Sequence, residues 1–218
     1  MLFSANMKAK TYDHKRRRTQ AREPYQRDKD MPASFPLGQV PVKHGFPALD
    51  FPFWVISDTH FEHANIGEYG ERPDDHQQLM LDNWRHSIKP TDRVLHLGDL
   101  ALGKTEVVAE LLADMPGEKY LLKGNHDRRN RRFYEQLGFT FVRKSFALDY
   151  AGYKIFFTHR PDTEHVLLKS PRSLNVHGHI HQRESGDPRL INLSVEHTDY
   201  APVHITDVLD RRIAELNH

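Results

Sequence analysis

From residue 53 onward, apolar residues follow two rhythms: short continuous runs, and longer stretches in which they recur every three or four positions. The runs read as strands and the longer stretches as amphipathic helices. A strand is predicted at 53–57. Pro73 and Asp74 then open a helix to about residue 87, with Met80, Trp84 and Ile88 on its inward face and Pro90 as its stop. Residues 93–97 form the next strand. A helix over 104–115 turns Val107, Val108, Leu111 and Leu112 inward and ends before Pro116-Gly117. A strand over 119–123 and a helix over 128–137, ended by Gly138, complete the first half.

The second half is richer in strand signals, at 139–143, 145–150 and 153–158, with Ala151-Gly152 as a hairpin turn between the last two. Pro161 begins a predicted helix over 161–169. Strands at 173–177, 190–194 and 203–206 follow, and Asp207 caps a last helix over 208–216. The sum is an α/β domain built on two sheets.

Before residue 53 the periodicity is missing. Residues 1–35 carry nine Lys/Arg against four Asp/Glu, a net of +5, which leaves −4 for the rest of a 218-residue chain whose formal charge is +1. They read as a basic, disordered arm. Its Lys15-Arg16-Arg17-Arg18 cluster suits nucleic acid or an acidic partner. A solvated tail, or an extension upstream of a true start at Met31, accounts for the same residues and is the preferred reading. Residues 36–52 hold Pro36, Pro41, Pro47 and Pro52 and lead, extended, into a folded domain over 53–218. Cysteine is absent, which excludes disulfides and thiolate metal sites. No apolar stretch reaches the length of a bilayer span and no signal-peptide core is present. A cytoplasmic location with no membrane partner is therefore expected.

Five short segments follow predicted strands: Asp58-Thr59-His60, Gly98-Asp99, Gly124-Asn125-His126-Asp127, Thr158-His159, and Gly178-His179-Ile180-His181. They offer Asp58, His60, Asp99, Asn125, His159, His179 and His181 as candidate metal ligands, enough for two ions and for hydrolysis of a phosphate ester. Carboxylate, imidazole and carboxamide suit Mn²⁺, Fe and Zn²⁺ better than Ca²⁺. Asp58 and His60, like His179 and His181, are spaced i, i+2, so both members of each pair can point the same way at a strand end. Gly98, Gly124 and Gly178 let the backbone turn just before a ligand.

Taken in order, these segments resemble the calcineurin-like metallophosphoesterase superfamily, whose pattern is D-x-H, G-D, G-N-H-[ED], H and G-H-x-H. The resemblance spans about residues 53–206. Ser57 to Ile66 is also similar to a small bacterial and phage branch of predicted phosphoesterases. The resemblance implies a four-layer αββα sandwich holding two divalent ions, Mn²⁺ first, with Fe, Zn or Ni as alternatives. Asp58, His60 and His181 would hold one ion, Asn125, His159 and His179 the other, and Asp99 would bridge them. A metal-bridging hydroxide would attack phosphorus. His126 would protonate the leaving oxygen, oriented by a hydrogen bond to Asp127. A phosphodiester is favoured over a monoester, because His126 can protonate a poor alkoxide leaving group. Gly98-Asp99 continues as Leu100-Ala101 and lacks the D-R-G that follows in phosphoprotein phosphatases.

Three further residues are candidates for substrate contact: His63 on the loop after the first strand, Arg128 beside His126, and His197. Arg129, Arg131 and Arg132 read as the solvated face of a helix, and His96 and His177 as packed residues supporting the ligands. Two other functions stay open. One is a nuclease or RNA-processing phosphoesterase that uses the basic arm to hold nucleic acid. The other, a non-catalytic binding protein on the same fold, is disfavoured because every ligand position is filled.

Overall fold

The computed structural model describes residues 49–69 and 71–217. The predicted arm over 1–35, and the lead-in up to residue 48, lie outside the described residues. The first half of the fold runs β1 (Trp54–Ile56), α1 (Ile66–Tyr69), α2 (His76–Ser87), β2 (Arg93–His96), α3 (Thr105–Ala113), β3 (Glu118–Leu122), α4 (Arg131–Gln136) and β4 (Phe139–Arg143). The second half runs β5 (Ser145–Tyr150), β6 (Tyr153–Thr158), β7 (Ser173–His177), β8 (Leu190–Asn192), β9 (Val203–His204) and α5 (Ile205–Leu216).

The described strands form two sheets, ordered β4-β3-β2-β1-β9 and β5-β6-β7-β8. In the first, β1 to β4 are parallel and β9 is antiparallel. In the second, β6 to β8 are parallel and β5 is antiparallel. Both sheets are therefore mixed, as the expected α/β sandwich requires. Alternate residues along each strand decide the layers. Val55, Leu95 and Leu122 of the first sheet pack against Ile155, Phe157, Leu174 and Val176 of the second, and α5 adds Ile205 and Leu209 to this core. On the other face of the first sheet, Ile56, Val94 and Leu121 pack under Met80 and Trp84 of α2, Leu112 of α3 and Tyr134 of α4. Among the described residues no helix is long and apolar enough to cross a membrane.

The departures from expectation have local causes. No helix forms over 161–169. There the Asp162 carboxylate accepts from the backbone N–H groups of Val166, Leu167 and Leu168, while its own N–H donates to Asn175 Oδ1. A buried Asp that satisfies three successive amides competes directly with helical bonding. The segment so pinned lies over Asn175, whose neighbours Ser173 and His177 share that polar but buried face of β7. Val107 is exposed, because the inward face of α3 is set by Val108 and Leu112. α4 starts three residues late, where Asn130 Oδ1 accepts from Phe133 N at 3.0 Å, so Arg128 and Arg129 stand in a loop. α5 starts early, at Ile205, with His204 at its N-cap and Asp207 in its first turn.

The joint between the sheets depends on aromatic packing. The Phe157 ring is fully buried, stacked 4.8 Å from Phe146 and tilted 5.7 Å from Phe53. Phe157→Ala is expected to lower stability by about 3–5 kcal/mol, seen in urea unfolding as a lower midpoint with unchanged slope.

Candidate metal centre

The parallel strands bring their carboxyl ends to one side of the molecule, as open α/β sheets do around a ligand site. Asp58 and His60 follow β1, Asp99 follows β2, Asn125 and His126 follow β3, His159 follows β6, and His179 and His181 follow β7. Backbone bonds tie neighbouring loops together within each sheet: Asp58 N to Gly98 O at 3.0 Å and His60 N to Asp99 O at 3.0 Å in the first, and Gly178 N to His159 O at 3.0 Å in the second. The two sheets meet at a bridge between Ser57 and Ser194.

Asp58, His60 and His181 form one group of side chains and Asp99, His159 and His179 another; within each, one potential ligand atom per residue lies within 4.8 Å of the others. Asp99 joins them. Its Oδ2 is 3.3 Å from His159 Nε2 and 3.6 Å from His60 Nε2. Asn125 Oδ1 is 3.0 Å from His159 Nε2, which puts its carboxamide at the second group. All seven candidate ligands therefore come together.

The backbone explains how the paired ligands converge. Asp58, His60, Asp99, His179 and His181 all have positive φ, between 48° and 71°. The i, i+2 pairs lie beyond the strand ends, and left-handed turns rather than the pleat of a strand aim them. Such conformations are uncommon outside glycine. Gly98 has φ +113°, as the turn before Asp99 needs. Gly178 answers a different need, since a Cβ there would collide with Ser57 Oγ and Asp58 Oδ2.

Hydrogen bonds around the groups orient the free atoms. Asp58 Oδ2 accepts from Ser57 Oγ, Ser194 Oγ and His179 N, while Oδ1 is buried with no partner among the described residues. His60 Nε2 is likewise buried without one. His159 Nδ1 lies 3.0 Å from the Leu97 carbonyl, which can only accept, so Nδ1 carries the proton and Nε2 faces the group. His96 supports the loop from below: its Nδ1 accepts from Gly98 N, and its Nε2 bonds the Thr59 hydroxyl. An orphaned carboxylate oxygen beside an orphaned imidazole nitrogen, in an all N/O set, fits a divalent cation.

The electrostatics agree. Burial drives His60 and His179 down to about 2, so both are neutral and able to donate a lone pair. For Asp99, burial alone would raise the carboxyl, but His159 outweighs it and holds it well below the usual range. For His159, burial disfavours the charge, but Asp99 wins and raises it to about 9.

Two expected features differ. Asp127 does not hydrogen-bond the His126 ring. Its carboxylate is taken up by the N–H groups of Asp99, Leu100 and Gly124, which lock the β2 and β3 loops together. The His126 ring belongs to neither ligand group and stands 5.2 Å from the His60 ring, while the backbone N–H of His126 donates to Asp99 Oδ1 at 2.8 Å. His197 lies in a single 3-10 turn (Val195–His197) and lines a cavity of about 720 Å³ walled by β8, β9 and α5, which none of the candidate ligands lines. His63 sits 5.4 Å from the His60 ring and 6.1 Å from the His126 ring, with Nδ1 buried and without a partner among the described residues. Arg128 is exposed, one turn from His126.

Sequence reasoning missed Arg72 and Glu196. Both side chains are buried and bonded to each other, and Glu196 Oε1 is 3.0 Å from His181 Nδ1. The only hint in the sequence is one Arg set among Glu71, Pro73, Asp74 and Asp75.

Because His159 is protonated below about 9 in the metal-free protein, a cation binding there must displace that proton. Binding of Mn²⁺ is therefore expected to tighten as pH rises from 6 to 8, by about tenfold per unit for one displaced proton. Titration calorimetry in buffers of different ionisation enthalpy measures the proton release; a pH-independent affinity with no release would contradict it.

Comparison with known proteins agrees with this geometry. Residues 52–194 match the family model described as the calcineurin-like phosphoesterase superfamily domain. The chain is 32% identical over 165 residues to an uncharacterised protein of Methanocaldococcus jannaschii, covering 70% of this chain and 86% of that one. It is 27% identical over 173 residues to the gene 66 protein of Mycobacterium phage D29, covering 66% and 87%. The crystal structure of a protein of unknown function from Aquifex aeolicus shares the fold, with TM-score 0.62 and 24% identity over 73% of this chain and 98% of that chain. The match over most of the folded residues, on the strands that carry the ligand groups, establishes that this chain belongs to the calcineurin-like phosphoesterase superfamily.

Proposed function

We propose that this chain is a binuclear metal-dependent phosphoesterase. The observation that carries the reading is the pair of ligand groups meeting at Asp99, with Asp58 Oδ1 and His60 Nε2 buried and unpartnered. Asp58, His60 and His181 hold one ion, and Asn125, His159 and His179 the other. Asp99 reaches both. Mn²⁺ is the first choice for both positions. Two divalent ions bound there supply the Lewis acidity and the activated water that phosphate-ester hydrolysis needs.

The chain's own residues do the rest. His126 stands outside both groups, its ring 5.2 Å from that of His60, where it can hand a proton to the departing oxygen. Asp127 fixes the position of His126 through the loop backbone and not through the ring. His63 faces the same space and suits a contact with a non-bridging phosphate oxygen. A diester is the preferred substrate, since an alkoxide leaving group gains most from a proton donor.

Variants separate these roles. Asp99→Ala is expected to lose bound metal and activity together. His126→Ala should keep the wild-type metal content while turnover falls by roughly 10²–10⁴. That loss should shrink for a 4-nitrophenyl ester, whose leaving group needs no proton. Full activity of His126→Ala on an alkyl diester would refute the proton-donor role.

A nucleic-acid substrate is the second reading. Arg128, Arg129 and Arg132 are exposed just beyond His126, and Arg143 and Lys144 close the end of the neighbouring strand β4. The arm over 1–35 would add phosphate contacts. Deleting that arm should weaken binding of single-stranded DNA and flatten its salt dependence; unchanged binding and slope would remove the arm from the reading.

A further inference from the structure

The Arg72 guanidinium is sealed inside the protein, with none of its side chain exposed. It makes four hydrogen bonds. Nη2 donates to Asp58 O at 2.6 Å and Nη1 to Thr59 O at 2.9 Å. Nε and Nη2 both donate to Glu196 Oε1, at 2.9 and 2.7 Å. The same Oε1 lies 3.0 Å from His181 Nδ1. Because a carboxylate only accepts, Nδ1 carries a proton toward Glu196 and Nε2 is the nitrogen left to ligate beside Asp58 and His60. One guanidinium thus grips the left-handed turn that aims Asp58 and His60, and, through Glu196, the ring of the third member of that group. Asn192 Nδ2 adds a bond to His181 O at 2.8 Å.

The other group has no such device among the described residues. His159 Nδ1 bonds a backbone carbonyl, and Asn125 contributes a neutral side chain. Buried ion pairs add little to stability compared with apolar residues of the same volume. A sealed Arg–Glu pair therefore calls for another benefit, and here the benefit is geometric. Glu196 balances the Arg72 charge, so the guanidinium does not repel a cation at the site it organises.

We propose that Arg72 and Glu196 are positioning residues that pre-form the Asp58–His60–His181 subsite, making it the tighter of two unequal metal subsites and the first to fill. The inference rests on the binuclear reading above. Its test is calorimetric titration of Mn²⁺ into the full-length, metal-stripped protein. Wild type should bind two equivalents in resolved steps. Glu196→Gln should weaken the tighter step by about 10–100-fold, as loss of a carboxylate behind a ligating histidine does, and leave the weaker step unchanged. The Arg72→Met/Glu196→Gln double variant leaves no unpaired buried charge, and should fold and show the same selective loss. Absorption of the first Co²⁺ equivalent should change in both variants and that of the second should not. Two equal steps in wild type, wild-type binding in either folded variant, or equal weakening of both steps would overturn the proposal. A wild-type protein that binds no metal would instead remove the binuclear reading itself, and this inference with it.

Discussion

Asp99 is a carboxylate with 1% of its surface exposed, held between a histidine from each ligand group. Asp58, Asp127 and the Glu196 side chain are buried within the same few turns of backbone. Removing that much negative charge from water is costly unless cations or many N–H donors compensate. Arg72 balances one carboxylate, and three backbone amides serve Asp127. His159 takes up a proton against Asp99. Asp58 Oδ1 remains without any donor among the described residues. The architecture is anionic by more than its own side chains correct, and that surplus suits the two ligand groups to divalent cations.

The same constraint reaches the backbone. Five candidate ligands sit in left-handed conformation, each costing about 1–2 kcal/mol relative to the right-handed region. Such strain persists only where the surroundings over-determine it. Here they do. Asp58 is fixed by its N–H to Gly98, its carbonyl to Arg72 and its carboxylate to two serines and His179 N. The parallel strands supply the rigid end from which the turn departs, and the two sheets must pack face to face for His181 of one to meet Asp58 of the other. Phe157 and its neighbours between the sheets are therefore as necessary to the site as the ligands.

This division explains what was legible in the sequence. Strand ends followed by Asp, Asn and His could be read residue by residue, because the ligand types and their glycines are local features. The α2 face through Met80 and Trp84 was legible for the same reason. Side-chain competition with the backbone was not: Asp162 replaced a helix that Pro161 announced, and Asn130 moved the start of α4. Nor was the partner of a buried charge. Arg72 and Glu196 are 124 residues apart, and nothing local marks either as buried. The hydrogen bond expected between Asp127 and the His126 ring does not form, because the bonding partners of Asp127 are main-chain amides, two of them on another loop.

The candidate metal centre and its rim then obey different rules. Every candidate ligand follows a strand and is tied across to a neighbouring loop, so a substitution there disturbs several elements at once. His63, Arg128 and Arg160 belong to loops around the site. Arg160 adds to burial and His159 in pushing the His179 pKa down, yet the segment after it is held by the Asp162 carboxylate through backbone amides and by no ligand. The rim can therefore change without unmaking the centre.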